Sequence, residues 1–239
     1  VYVETEWNAN DPLGETEWVM DLYNRTGFPN AIVGQAWFMA DNIATVLASQ
    51  AACPLMRSIR QKPAATPSFK SFRPGLPGSL ADPKFRSGFS SLESHGLHFD
   101  LQTPWWHLGE AADLASDFRE TLIILNHTGL PSDRSKSGLK GWRSAMARLA
   151  KEPNTAVKIS GICQPGLPWT SELNRDVVME TIHLFGVDRC MLASNFPVDK
   201  LIASFEQIYT GYLEILDGFS NADKQKLFHD NAAIYYRPV

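Results

Sequence analysis

The sequence has only three cysteines, Cys53, Cys163 and Cys190, far apart and with no CxxC pair. So sparse and odd a count gives no disulfide framework and no zinc-finger spacing. It fits a reducing, cytoplasmic compartment. Positive charge is not in excess: 22 Lys and Arg against 26 Asp and Glu leave a net charge of −4. This removes the general electrostatic case for nucleic acid or an anionic membrane as a partner. No apolar run approaches the roughly 20 residues that a membrane helix needs. No glycine-rich turn of the GxGxxG or GxxxxGK[ST] kind follows a strand-like segment, which weakens a nucleotide-binding reading. With 44% hydrophobic and 20% charged residues in a chain of 239, long disorder is excluded and a sizeable core can be buried.

What is present is alternation. Strand-like runs lie at 1–7, 31–38, 55–60, 97–102, 122–127, 155–160 and 190–195. Helix-period segments follow at 13–26, 41–51, 82–95, 108–118, 138–151 and 171–185, and helices at 200–217 and 220–230 close the chain. Seven strands, each followed by a helix, predict an α/β fold with a parallel sheet and right-handed crossovers. The runs are continuously apolar, as expected when both faces of a sheet are covered. Two architectures satisfy this: an open doubly wound sheet, or a TIM-type (β/α)8 barrel lacking one unit. Residues 1–239 read as one domain. The segment 62–81, with Pro63, Pro67, Pro74, Pro77, Gly75 and Gly78, is too long for a routine connection and predicts a mobile lid.

In parallel α/β folds, functional groups gather at the C-terminal ends of strands. Here those ends carry Glu6, Trp37, Arg60 and Lys62, then Trp105, Trp106 and His107, then His127, Trp169, Asn195 and Asp199. Aromatic walls with a few fixed polar groups suit a small-molecule pocket. Each residue has a structural alternative. His127 could satisfy a carbonyl, Arg60 could be an ion-pair partner, and Asp199 could be only a helix N-cap. Lys158 lies inside its strand, and alternation directs it toward the barrel interior rather than the covering helices, where a charge would be costly. His95 and His229, at helix ends, and His183, mid-helix, read as structural.

Several segments then resemble one family in the right order. Leu125-Asn126-His127-Thr128-Gly129-Leu130-Pro131 resembles the D-H-x-G-x-P strand of amidohydrolase-2 proteins. Val157-Lys158-Ile159-Ser160-Gly161 resembles their v-K-x-S-G strand, and Ala193-Ser194-Asn195-Phe196-Pro197 their G-S-[DN]-[WF]-P strand. The stretch Leu227–Tyr235 resembles the closing F-x-x-N-A segment, while Ile59-Arg60 and Phe99-Asp100-Leu101 fall at equivalent strands. The resemblance spans essentially the whole chain. It implies a (β/α)8 barrel related to lactonases of sugar lactones and pyrone dicarboxylates.

The resemblance also implies roles. His127 matches a barrel histidine, Arg60 an arginine in contact with substrate carboxylate or lactone oxygen, and Asn195 stands where many relatives have a water-activating Asp. Gln61 stands where many have His. The family's first strand carries H-x-H, which is found nowhere in this sequence. The expectation is that about 40 residues, including that strand, precede Val1, leaving a barrel with a gap between its first and last strands. A divalent metal, zinc foremost, would then belong to the intact protein, with His127 as a ligand.

The expected function is a hydrolase opening a lactone or related cyclic ester of a small carboxylated or sugar-derived substrate. His127 and Arg60, with Lys158, would polarise the carbonyl, and Asn195 would orient water. An amide cannot take the proton, so Asp199 or Glu6 would be the general base. Glu6, Trp37, Lys62, Trp105, His107, Lys158 and Trp169 would line the substrate site. Two alternatives stay open: a metal-dependent decarboxylase of the same superfamily, and a truncated barrel that only binds small molecules. Two unpaired sheet edges favour a homo-oligomer.

Overall fold

A computed structural model describes residues 1–239. Seven strands form one sheet in chain order, and every neighbouring pair is parallel. They are β1 (Tyr2–Val3), β2 (Ile32–Gln35), β3 (Met56–Arg60), β4 (His98–Leu101), β5 (Ile123–Leu125), β6 (Thr155–Ile159) and β7 (Cys190–Leu192). An open doubly wound sheet reverses strand order at a switch point, whereas a barrel adds strands in sequence. The order here is the barrel's. β1 and β7 are not hydrogen-bonded to each other, so the sheet is a curled half-barrel.

The curl is visible in the packing. Ala31 and Val33 of the β2 region share one buried cluster with Ile124, Ala156, Met191 and Tyr236. β2 and β5 are not neighbours in the sheet, so these residues meet only if the sheet wraps around an interior. The alternate residues, among them Ile32, Ile59, Phe99, Leu125 and Val157, belong to the larger core. That core is shared with the covering helices α1 (Gly14–Thr26), α2 (Ile43–Ala51), α3 (Pro83–Phe89), α4 (Ser91–Ser94), α5 (Leu108–Asp117), α6 (Lys136–Leu149), α7 (Ser171–Phe185) and α8 (Phe205–Ile215).

Helix starts follow local chemistry. The side chains of Asp82, Ser135, Thr170 and Ser204 each accept a backbone N–H from the first turn they precede, as N-caps do. The predicted 82–95 helix is two pieces, α3 and α4, meeting at Ser90. The closing region is α9 (Asn221–Gln225), a π-turn and α10 (Asn231–Tyr236). Asn231 Nδ2 donates to the carbonyls of Val187 and Cys190, both at 2.7 Å, which fixes α10 at the start of β7.

Most strands are shorter than their apolar runs. The 190–195 run leaves the ladder after Leu192, and the 122–127 run after Leu125. The residues beyond turn away with left-handed backbone, φ 54° at Asn195 and 56° at His127, which a β-ladder cannot contain.

The 62–81 segment also differs from expectation. It is not a free lid but a loop clamped to the start of α5. The Thr66 amide donates to His107 Nε2 at 3.0 Å, Trp106 Nε1 donates to the Thr66 carbonyl at 3.0 Å, and the Gly75 amide donates to Glu110 Oε1 at 2.8 Å. Phe69 stacks on Trp105, and Phe72 meets His107 edge-on. Buried aromatic and hydrogen-bonding partners hold the loop where its prolines deny it regular structure.

Inside the curl, one polar cluster replaces apolar packing. Lys158 Nζ donates to Asp100 Oδ1 at 2.5 Å, and Tyr236 Oη donates to the same oxygen at 2.8 Å. All three are buried, and Lys158 does face the interior. Burial pulls the Lys158 pKa down, against the opposing pull of Asp100. Removing one member of such a pair strands the other charge, at about 3–5 kcal/mol. Lys158→Met should therefore destabilise the protein by that amount, and Lys158→Met combined with Asp100→Leu should recover most of it. Urea denaturation of the two variants checks this.

Candidate active site

Three strand ends supply the corner where reactive groups meet. β5 runs into His127, β6 into Ser160 and Gly161, and β7 into Asn195. The positive φ at His127 and Asn195 swings both side chains over Gly161, itself left-handed at φ 57°. A Cβ at Gly161 would lie 2.7 Å from His127 Nδ1 and 3.2 Å from Asn195 Nδ2. Glycine is thus required here for conformation and for space. Left-handed non-glycine residues cost about 1–3 kcal/mol each and cluster where function demands them.

Each group in the corner is held. His127 Nδ1 and Ser160 Oγ are hydrogen-bonded at 2.9 Å. Asn195 Nδ2 donates to Asp199 Oδ1 at 2.7 Å, so Asp199 is tied to the neighbouring side chain rather than serving merely as a helix cap. Burial raises the Asp199 pKa, opposed by the hydrogen bonds from Asn195 and the Cys163 thiol. His127 is pushed down to about 3, first by burial, then by the positive charge of Lys158 and Arg60, with the Ser160 backbone opposing. It is neutral at physiological pH.

The other nominated residues divide. Arg60 lies at the mouth, but its guanidinium is spoken for. Nε and Nη2 bond the buried Glu4 side chain and carbonyl, and Nη1 donates to Gln102 Oε1 at 3.3 Å. Lys62 pairs with Glu6 at 2.8 Å on the exposed rim. Glu6 is thereby drawn to a cation and stands in the open. Trp37 is half-buried after β2, its indole N–H enclosed without a partner.

Three nominees make extensive packing contacts. His107 accepts the Thr66 amide at Nε2 and pairs with Glu110 through Nδ1 at 2.9 Å, leaving neither nitrogen for a ligand. Trp105 is wedged between Phe69 and the α6 backbone at Gly141. Trp169 packs on Tyr212 and fills the space a Cβ at Gly211 would need, only 1.8 Å from Trp169 Cζ3. Loop aromatics near a rim read as pocket walls in a sequence; here both pack against helices, and Trp169 also lines a surface cavity with Thr170, Glu206, Gln207 and Glu214. Ser160, Gly161 and Asp100 were visible only as letters within strand motifs, and their contacts give them their importance.

The curled parallel sheet with polar groups at its C-terminal rim is the architecture of TIM-barrel enzymes. The amidohydrolase family model matches residues 3–237, and the chain belongs to the amidohydrolase family. An uncharacterized protein of Sinorhizobium fredii, y4mH, is 42% identical over 99% of this chain and 80% of its own length. An L-fucono-1,5-lactonase of Burkholderia ambifaria is 26% identical over 93% of this chain and 76% of its own length. In fold, the chain resembles a crystal structure of an amidohydrolase from Burkholderia multivorans with bound HEPES. The TM-score is 0.81 at 22% identity, covering 94% of this chain and 79% of that one.

A second crystal form of that amidohydrolase has bound zinc. The residues of this chain do not fit such a centre. No three His, Cys, Asp or Glu side chains come close enough together to hold a metal ion. His127 is flanked by an amide and a hydroxyl, and the Asp199 carboxylate is engaged by Asn195. A zinc site takes at least three N, S or carboxylate ligands. The expectation of His127 as a metal ligand thus finds no companions among these residues.

The depressed His127 pKa has a thermodynamic consequence. Below pH 6.5 the unfolded chain takes up a proton that the folded protein refuses until about pH 3. Its contribution is complete above pH 6.5 and is lost as pH falls through that window, about 5 kcal/mol at most. His127→Gln should flatten this part of the stability–pH curve. Denaturant midpoints of both proteins between pH 7 and about 4 measure it.

Proposed function

We propose that this amidohydrolase opens a lactone by direct attack of water, using the His127–Asn195–Asp199 corner. The observation that carries this reading is the meeting of His127 and Asn195 over Gly161, with Asp199 held behind the amide. In the tautomer in which Ser160 Oγ donates to Nδ1, the imidazole proton sits on Nε2, free to donate to a substrate. Neutral His127 then donates to the lactone carbonyl oxygen and stabilises the oxyanion that develops on it. Such preorganised donors often supply the largest catalytic contribution.

Asn195 orients the attacking water through its carboxamide oxygen. Asp199 receives the water proton, its basicity raised by burial. Glu6 is less suited to this step, being exposed and paired with Lys62. As the tetrahedral centre collapses, the ring C–O bond breaks and the departing oxygen takes the proton back from Asp199. A ring-opened hydroxy acid results. Lys158 beneath the corner adds positive potential toward the forming anion. The L-fucono-1,5-lactonase relative supports a sugar-derived lactone as the substrate type.

The test is acid release from a panel of sugar 1,5-lactones and γ-lactones, followed in a pH-stat. The wild type should open at least one ring size. His127→Ala and Asp199→Asn should each lower kcat about 10²-fold, with circular dichroism unchanged. Wild-type rates in His127→Ala, or no hydrolysis of any lactone by the wild type, would overturn the reading.

A further inference from the structure

Cations around the mouth mostly have carboxylate partners: Arg60 with Glu4, Lys62 with Glu6, Lys158 with Asp100. Arg134, in the loop between β5 and α6, does not. Its guanidinium is partly buried and makes one hydrogen bond, from Nη2 to the Ile162 carbonyl at 3.0 Å. Its Nε is buried without a partner. Asp133, next in sequence, turns its carboxylate to the Ser135 amide at 2.9 Å instead. Burial lowers the Arg134 pKa, and no acidic group offsets it.

Other arginines without a carboxylate are satisfied differently. Arg189 donates to the carbonyls of Ala150, Glu152 and Phe185, and Arg57 to those of Pro54, Met56 and Arg237. Both lie toward the opposite, N-terminal face, at the starts of β7 and β3. Arg134 alone combines a rim position with a single carbonyl and an enclosed, idle Nε. One N–H donor would suffice to pin two loops. Nη1, which no protein group takes and which is not enclosed, forms with Nη2 the planar fork that binds a carboxylate through two parallel hydrogen bonds.

Its place is also suggestive. Ile162 follows Gly161, the residue over which His127 and Asn195 close. The Arg134 Nη2 atom therefore lies within about 9 Å of the Gly161 Cα, given ~3.8 Å between successive Cα atoms. That is the reach of a substituent on a small ring seated in the corner. We propose that Arg134 binds a carboxylate carried on the lactone ring, so that the site prefers anionic lactones to neutral ones. This rests on the lactonase reading above and adds the substrate's charge to it.

The decisive comparison uses γ-butyrolactone-γ-carboxylate and the corresponding carboxamide, which share ring and reacting bond. Arg134→Gln retains a donor for the Ile162 carbonyl. It should raise KM for the carboxylate about 10- to 100-fold, leaving kcat within about twofold and the carboxamide unaffected. Arg134→Lys should restore part of the loss. Equal losses on both substrates would mark Arg134 as a loop pin and overturn the proposal, as would no change on either.

Calorimetric binding of glutarate supplies a readout that does not depend on turnover. Binding by the wild type that Arg134→Gln abolishes supports the carboxylate site even if no lactone is opened. Lactone hydrolysis with glutarate binding unchanged in the variant, or absent from the wild type, overturns the Arg134 assignment and leaves the lactonase reading standing.

Discussion

One carboxylate organises the interior of this protein. Asp100 projects from β4 into the curl, where a lone anion would be untenable. It accepts Lys158 from β6 and Tyr236 from the last helix at the same oxygen. The contact thus joins non-adjacent strands across the interior and draws the C-terminal helix against the apolar residues there. It also fixes a cation directly beneath the rim. The field of that cation is part of what keeps His127 neutral, so the chemistry at the top of the half-barrel depends on an ion pair buried below it.

The site is a matter of backbone as much as of side chains. His127 and Asn195 reach each other because their strands end in left-handed turns and because Gly161 offers no Cβ between them. The same turns shorten the hydrogen-bonded strands. Local strain, loss of sheet pairing and convergence of reactive groups are three faces of one arrangement. Strain of this kind is tolerated only where surrounding contacts over-determine it. The Ser160 and Asp199 hydrogen bonds are such contacts.

The alternation of apolar runs and helical periods made the parallel sheet readable from sequence, because burial on both faces leaves a strong pattern; it fitted an open sheet and a barrel alike, and only the family resemblance favoured the barrel's strand order. The pairing of Lys158 with an acid on another strand was not readable, since register across a sheet is set by packing. Strand motifs singled out His127 and Asn195, which the fold brings together over Gly161. They were silent on which neighbours hold them. The packing of the aromatic residues was not readable either: Trp105 and Trp169 lie in rim loops, and the gaps left by Gly141 and Gly211 on the adjoining helices accommodate their rings. Composition placed flexibility in the 62–81 loop, whereas the histidine and glutamate that clamp it come from a distant helix start.

The left-handed backbone at Asn195 bears on how such a site changes over time. Few side chains accept that conformation, and Asn and Asp are foremost among the non-glycine residues that do. The fold therefore favours an amide, an acid or no side chain at this position. Exchange between the first two leaves shape and backbone nearly untouched while adding or removing a titratable group next to His127. A lineage carrying this scaffold can alter its acid–base inventory by a single nucleotide step, without first having to remodel the loop.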